Sequence, residues 1–439
     1  MRGVMEVVEN GFKETEIGLI PEDWEVVRLG EVVDLDRGIS WRKFEEGNKD
    51  NGHLIISIPN IKDGYIDFNS KYNHYLIKHI PKNKQIQLND ILFVGSSGSI
   101  ENVGRNVFIE NLPFEGIGFA SFVFRARVKV NTIIPKFLYF MANSHWFNYK
   151  DYVRRSSDGK YNFQLTEFKS IKIPLPPLEE QKAIADILST IQNAIEKTEK
   201  VINATKQLKK SMMKHLFTYG AVAVDEINKV KLKESEIGLI PEHWEVVRLG
   251  DIVNFKIGRT PPRENKDYWT NGKYYWVSIS DMKNPYINNT SEMVSEKAHK
   301  EIFKEKLTPA GTLLMSFKLT IGRTAILNVD AYHNEAIISI YPKENKVLKE
   351  FLFYYLPAVD YSNLQDKAIK GNTLNTSKLN KIPIPLPPLD EQQKIANILT
   401  TIDQKIQAEE KKKEALQNLF KTLLQQLMTG KIRVKKAKT

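Results

Sequence analysis

The chain has 439 residues, 41% hydrophobic and 10% aromatic, which describes folded material of roughly two to four domains. It has no cysteine, which excludes disulfides, thiolate zinc sites and cysteine nucleophiles, and its net charge of +11 favours a polyanionic partner such as nucleic acid, a Lys- and Glu-rich thermophile surface being the plainer alternative. No apolar run approaches the ~20 residues of a membrane span and residues 1–10 lack the apolar centre of a signal peptide, so no membrane is expected and the expected location is cytoplasmic.

The first informative segment, Lys13 to Val33, returns at Lys233 to Val253 with 17 of 21 positions identical. After it, Arg37 to Lys43, with Trp41 and Arg42, offers cations beside an aromatic side chain, a candidate nucleic-acid contact. His53 to Pro59, Asp90 to Gly95, Gly118 to Val130 and Lys169 to Pro174 are short β-branched and aromatic runs bounded by Gly, Pro and Asn, the signature of strands. Pro135 to Phe147 has the pattern of a short helix. Ser96, Ser97 and Ser99 in a Gly-Ser-Ser-Gly-Ser run, then Gly104-Arg105, combine backbone able to approach phosphate with hydroxyl and guanidinium donors. A hairpin turn with a surface arginine is the alternative. Arg154, Arg155, Lys160 and Tyr161 belong to a Gly-bearing basic loop suited to phosphate or base edges, or to simple solvation.

Ile173 opens Ile-Pro-Leu-Pro-Pro-Leu-Glu-Glu-Gln, which recurs almost unchanged from Ile384; 14 of 19 positions match between Ile173–Ile191 and Ile384–Ile402. Prolines followed by Glu179, Glu180, Asp390 and Glu391 suit the first turn of a helix. Apolar residues then recur at steps of three and four. The predicted seam is Ile184, Ile187, Ile191, Val201, Leu208 and Met212 in the first helix, and Ile395, Ile398, Ile402, Leu416, Leu419 and Leu423 in the second. Helices of about 38 residues would be roughly 57 Å long, too long to lie on one domain of about 150 residues. An antiparallel coiled coil is therefore expected, with a pseudo-two-fold axis and the globular parts at opposite ends; two separate amphipathic helices are the alternative. Thr198 and Glu409 beside Lys411 to Lys413 make the expected waist polar and weak.

The second half repeats the plan with different contents. Arg259 to Arg263 is the counterpart of the early basic stretch. Tyr274 to Ile279, Thr312 to Phe317, Thr324 to Val329 and Ala336 to Tyr341 have strand character, and Leu348 to Leu356 helical character. Lys318, Thr320 and Arg323 parallel the serine loop and Arg105. Lys367, Lys370 and Asn372 parallel the basic loop before the proline motif. The tail, with Lys431, Arg433, Lys435, Lys436 and Lys438, is expected to be solvated, partner or phosphate contact being the alternative. The expected organisation is a first α+β (mixed α/β) part at 1–172, a helix at 173–218, a linker at 219–235, a second α+β part at 236–383, a helix at 384–430 and a basic tail at 431–439. The offsets of the two repeats, 220 and 211, put the second part's frames nine residues closer together.

No Gly-x-Gly-x-x-Gly, Walker loop, Asp/Asn-Pro-Pro-aromatic motif or His-Glu-x-x-His occurs, and the eight histidines are scattered singly. Carboxylate pairs such as Glu45-Glu46 and Glu409-Glu410 lie in charge-rich stretches, where a solvated face is expected. The expectation is a binding protein with no catalytic residue, metal or cofactor of its own.

Two differing parts in near-identical frames, Ile20-Pro21-Glu22-x-Trp24 with Leu29-Gly30 and Ile240-Pro241-Glu242-x-Trp244 with Leu249-Gly250, each precede Pro-Leu-Pro-Pro-Leu-x-Glu-Gln (174–181, 385–392) and a heptad helix, the last ending in Leu427-Met428-Thr429-Gly430. This order resembles the specificity subunit of type I restriction–modification enzymes over essentially the whole chain. The resemblance implies two target-recognition domains, each reading half of a split, asymmetric duplex DNA site. It also implies helices that set the spacer and dock two modification subunits, which bind S-adenosylmethionine and methylate adenine, with a motor–nuclease subunit joining for restriction. A standalone adaptor for RNA or protein is the alternative.

Overall fold

The repeated frame motifs, some 150 residues apart in each half, pair with each other. Glu25–Arg28 runs antiparallel to Lys172–Leu175, with Val26 opposite Pro174, and Glu245–Arg248 runs antiparallel to Pro383–Leu386, with Val246 opposite Pro385. A two-stranded ladder tolerates these prolines because a missing N–H can face away from the partner strand. The computed structural model describes residues 4–7, 11–62, 64–362, 364, 366–368 and 371–435, with the backbone alone for 4–7, 366–368, 371–373 and 435. They form two compact units, one of residues 1–198 and 412–439, the other of 199–411.

In the first unit, Val33–Arg37, Val123–Val128, Ile91–Val94 and Asn106–Phe108 make a four-stranded antiparallel sheet in that spatial order. Ile91 to Val94 is apolar without alternation because all four side chains are buried. His53–Ile56 lies in a second sheet between His74–Leu76 and, in parallel, Gly118–Phe119. The single strand expected from Gly118 to Val130 is thus two, serving different sheets. Helix α1 (Pro135–Ala142) starts on proline and buries Phe137 to Ala142. Its core is aromatic: Phe93 stacks on Phe124 at 4.8 Å, and Phe163 meets Phe168 edge-on at 4.8 Å.

Helix α2 (Leu178–Tyr219, 42 residues) gives its beginning to this unit. The second unit repeats the arrangement. Val253–Ile257, Ile337–Pro342, Leu313–Ser316, Thr324–Leu327 and Tyr286–Ile287 form its main sheet, and Tyr274–Val277 pairs with Glu292–Val294 and Ala331–His333. Helix α3 (Lys349–Tyr355) takes the place of α1. Met315, Ile338, Leu374 and Leu379 occupy this core where the first unit has phenylalanines, so one backbone plan carries two packings.

Helix α4 (Leu389–Met428, 40 residues) runs antiparallel to α2 within each unit. In the first, Ile184 and Leu188 share a core with Phe420, Leu423 and Leu427; in the second, Met212 and Leu216 share one with Ile395 and Leu399. The seam differs from the expected one at alternate positions. Val201, Leu208 and Leu419 are exposed, whereas Leu188, Ile202, Leu216, Leu399 and Leu427 are buried. The seam steps by four then three: 184, 188, 191, 195, 198, 202 in α2 and 395, 399, 402, 406, 409 in α4, all buried except the half-buried Ile191, Ile195 and Ile402. Thr198 and Glu409 therefore lie inside the seam and are buried, so Glu409 is not on a solvated face.

The frame glutamines hold each helix to its unit. Gln181 Oε1 accepts the Ile134 N–H at 2.9 Å, and its Nε2 donates to the carbonyls of Thr132 and Pro176. Gln392 does the same for the Leu348 N–H at 2.8 Å and the carbonyls of Lys346 and Pro387. The N–H groups satisfied are those just ahead of α1 and α3, where no intrahelical partner exists. The tail departs from expectation: Ile432–Lys435 pairs antiparallel with Val4–Val7, and Arg433 is buried.

Candidate nucleic-acid interface

Two candidate loops of the first unit form one small sheet. Tyr161–Phe163 pairs on one side with Val153–Arg155 and on the other with Ser96–Ser97. Register aligns Ser97, Tyr161 and Arg155 across the three strands, and opposite residues share a face. Arg155 lies 5.7 Å from the Tyr161 ring centroid. Arg154, on the alternate face, turns back to Glu167 at 2.9 Å and to the Asp151 carbonyl, while Ser96 is buried. Lys160 pairs with Asp158 at 3.2 Å and lies 5.7 Å from the ring of Phe122.

Phe122 was not among the expected contacts, yet it is 46% exposed beside this sheet, its carbonyl accepting the Gly95 N–H. Ser99 is exposed at the loop tip. Arg37 joins the cluster by donating from Nη2 to the Phe163 carbonyl at 2.9 Å. Trp41, Arg42 and Lys43 lie elsewhere. Trp41 packs against the cluster of Ile55, Leu76, Ile80 and Ala120 and donates to Glu46, while Arg42 precedes a short turn and its guanidinium sits 6.0 Å from the exposed Phe44 ring. Lys43 is exposed.

The second unit joins the equivalent pieces by backbone. The Leu374 N–H donates to the Phe317 carbonyl, as the Phe163 N–H does to Gly95. This brings the loop of Lys318 and Thr320 to the hairpin Asp366–Ala368 with Gly371–Thr373. The side chains of Lys367 and Asn372, and Lys370 altogether, lie outside the described residues. Leu319 sits at the loop tip with φ +63° and 62% exposure, a strained place for a leucine and a second apolar residue that the sequence did not single out. Lys318 lies 5.3 Å from the Phe317 ring.

Arg105 and Arg323 share one position: each reaches a carbonyl, of Ile58 and Ile279 respectively, at 3.5 Å. Arg323 also lines a cleft of about 820 Å³ with Lys206, Lys209, Lys283, Asp403 and Glu410. Arg263 stacks 3.8 Å from the Trp269 centroid and forks onto both oxygens of Glu292, whose carboxyl it holds below the usual range. Arg259 donates to the Ile302 carbonyl at 3.4 Å. Among the described residues no group of three or more His, Cys, Asp or Glu could hold a metal ion, and no helix is long and apolar enough to cross a membrane.

The model of the type I restriction modification DNA specificity domain matches residues 21–207 and again 241–418. The chain belongs to the type I restriction–modification specificity subunits. It is 35% identical to the putative type I restriction enzyme MjaX specificity subunit of Methanocaldococcus jannaschii, over 97% of this chain and 98% of that one. It is 30% identical to the MjaVIII specificity subunit of the same organism, over 97% of each. The fold is similar to that of the S subunit from M. genitalium, with a TM-score of 0.59 at 16% identity over 92% of this chain and 96% of that one. As in its family, this specificity subunit carries two target-recognition domains, and the reading as an unrelated RNA or protein adaptor is not favoured.

Proposed function

We propose that each unit reads one half of a bipartite duplex DNA site, with recognition in the α+β parts at 1–172 and 236–383. The observation that carries this reading is the contrast between near-identical frames and differing loop surfaces. Ser97, Tyr161, Arg155, Lys160 and Phe122 cluster in one unit; Lys318, Leu319 and Thr320 beside a hairpin occupy the same place in the other. Guanidinium, hydroxyl and apolar groups on one surface suit base edges and thymine methyls, and lysines suit phosphates. The paired helices set the spacer. They and the frames dock two modification subunits that bind S-adenosylmethionine, and a motor–nuclease joins for restriction. The chain itself binds and does not catalyse.

Methylation sequencing of a host expressing the chain with its modification subunit tests this directly. Two separated half-sites at constant spacing are expected, with a matching two-part footprint whose affinity falls steeply with salt. One contiguous site, or none, overturns the reading.

A further inference from the structure

The loop from Phe317 to Arg323 is built as a rigid turn. The Ser316 N–H donates to the Arg323 carbonyl and the Gly322 N–H to the Ser316 carbonyl, both at 2.9 Å, while the buried Ser316 hydroxyl donates to the Thr320 carbonyl across the turn. Phe317 is anchored on both sides, donating to the Ala336 carbonyl and accepting from the Leu374 N–H. Gly322, at φ +81°, lies so close to the Tyr361 ring that a Cβ there would meet it at 2.5 Å, and the Tyr361 hydroxyl is itself fixed on the Leu356 carbonyl at 2.7 Å.

At the tip of this turn stands Leu319, at φ +63° and 62% exposed. In the left-handed region a Cβ crowds its own backbone, so such places fall mostly to glycine and asparagine. Of the other non-glycine residues at positive φ among those described, three are asparagines and two, Lys304 and Glu305, are charged; Leu319 alone is apolar. Among the described residues it belongs to none of the unit's hydrophobic clusters, so its side chain returns nothing to the fold. Asparagine there would relieve the backbone and remove an exposed leucine at once. Strain and exposure held together on so firm a base point to a contact made outside the chain.

The surroundings narrow the class of that contact. Phe317 to Arg323 carries two cations, Lys318 and Arg323, the exposed hydroxyl of Thr320 and no carboxylate. Donors flanking a rigid apolar point match phosphates flanking an apolar slot, and in duplex DNA that slot is the space between stacked base pairs. A thymine methyl needs only an apolar face along the groove, which an unstrained residue supplies equally well.

Resting on the DNA reading given above, we propose that Leu319 is a wedge. It enters between two base pairs of the second unit's half-site, parts their stack and bends the duplex there, with Lys318 and Thr320 on the adjoining phosphates. Specificity then includes the ease with which that step unstacks, so a flexible pyrimidine–purine step is favoured where no side chain reads the base edges. The corresponding loop of the first unit, closed by the Val94 N–H on the Arg105 carbonyl, is longer and has Gly98 and Ser99 at its exposed tip. The wedge belongs to one half-site.

The test uses the full chain with its modification subunit on duplexes holding both half-sites, as located by methylation sequencing. Energy transfer between labelled duplex ends reads the bend, and 2-aminopurine in place of single adenines brightens where stacking is lost. Leu319→Gly and Leu319→Asn should straighten the duplex, return 2-aminopurine in the second half-site to its free-duplex level and lower affinity on the order of 10-fold. Signals in the first half-site should not change, and Leu319→Met should keep the bend. The isolated Leu319→Asn chain should melt no lower than the unaltered one; a structural role for the leucine predicts a lower melting temperature. A bend and a 2-aminopurine signal that persist in both variants overturn the wedge, while two protected half-sites leave the DNA reading standing. An unaltered chain that protects no half-site overturns both.

Discussion

Arg433 closes on Glu180 across 253 positions of sequence, Nε donating to one carboxylate oxygen at 2.7 Å and Nη2 to the other at 2.8 Å. The same Nη2 reaches Asp23 at 2.6 Å, and the Trp24 indole donates to Glu180 at 3.0 Å. Glu180 is the glutamate of the proline motif, so the end of the chain is fastened to the first frame. Its counterpart Glu391 accepts instead from the Trp244 indole, His243 and the Ala221 N–H. The tryptophan–glutamate bond is the constant; the side chain that completes it is local.

Arg433→Met should therefore destabilise the first unit by about 3–5 kcal/mol, because it strands a buried carboxylate. Lysine should recover little, having no planar fork to span both oxygens. His243→Ala, at an exposed site, should cost less than about 1 kcal/mol. Denaturant unfolding followed by tryptophan fluorescence separates these outcomes, and equal losses from Arg433→Met and His243→Ala would contradict the account.

The helix seam shows how far periodicity carries and where it slips. Length, direction and the apolar stripe were legible because prolines mark each start and isoleucines recur. The phase was not. Val201, Leu208 and Leu419 are apolar yet exposed, while the seam passes one residue later through Ile202, Lys209 and Phe420; two of the three alternatives are equally apolar and the third is a lysine, so apolar scoring cannot fix the phase. Lys209 is tolerated because Asp403 accepts from it at 2.6 Å and Tyr354 stacks beside it at 5.1 Å. At the equivalent place in the first unit Phe140 meets Phe420 at 6.0 Å. The candidate interface is half legible for a similar reason. Ser97 and Tyr161 each stand out in the sequence, but strand pairing across 64 residues leaves no local trace, and a lone Phe122 before a strand looks like core.

His333 should make the second unit acid-sensitive. Burial pushes its imidazole down to about 4 from the usual 6.5, so the folded state binds fewer protons than the unfolded one between those values. Stability is full above pH 6.5 and falls by about 3 kcal/mol on approaching pH 4. Phe119 holds the equivalent place in the first unit, each residue's carbonyl accepting from the early loop, at Ile39 and Arg259. His333→Phe should flatten the slope. Unfolding at pH 7, 5.5 and 4.5 would show parallel curves for both proteins if His333 were not responsible.

Recognition residues should separate by their effect on specificity. Phe122→Ala and Arg155→Ala should weaken binding at one half-site by about 1–3 kcal/mol and relax base preference there alone. Lys160→Ala should weaken all sequences alike and reduce the salt slope by about one. Competition with single-base variants of each half-site measures both, and loss of preference in both half-sites from one substitution would refute one domain per half-site.

The spacer should follow helix length. Removing 199–205 from α2 and 406–412 from α4 deletes one heptad at matching antiparallel positions, keeping the seam in phase on both sides of the cut. Each helix loses about 10.5 Å at 1.5 Å per residue, which corresponds to about three base pairs at roughly 34 Å per DNA turn. The preferred spacer should shorten by about that amount while both half-sites remain as they were. Deleting the heptad from α2 alone should instead destroy assembly, because Ile184 against Leu427 and Leu216 against Ile395 can no longer align together. Methylation sequencing reads spacer and half-sites at once; an unchanged spacer in a folded, active double deletion would mean that something other than the helices measures the DNA.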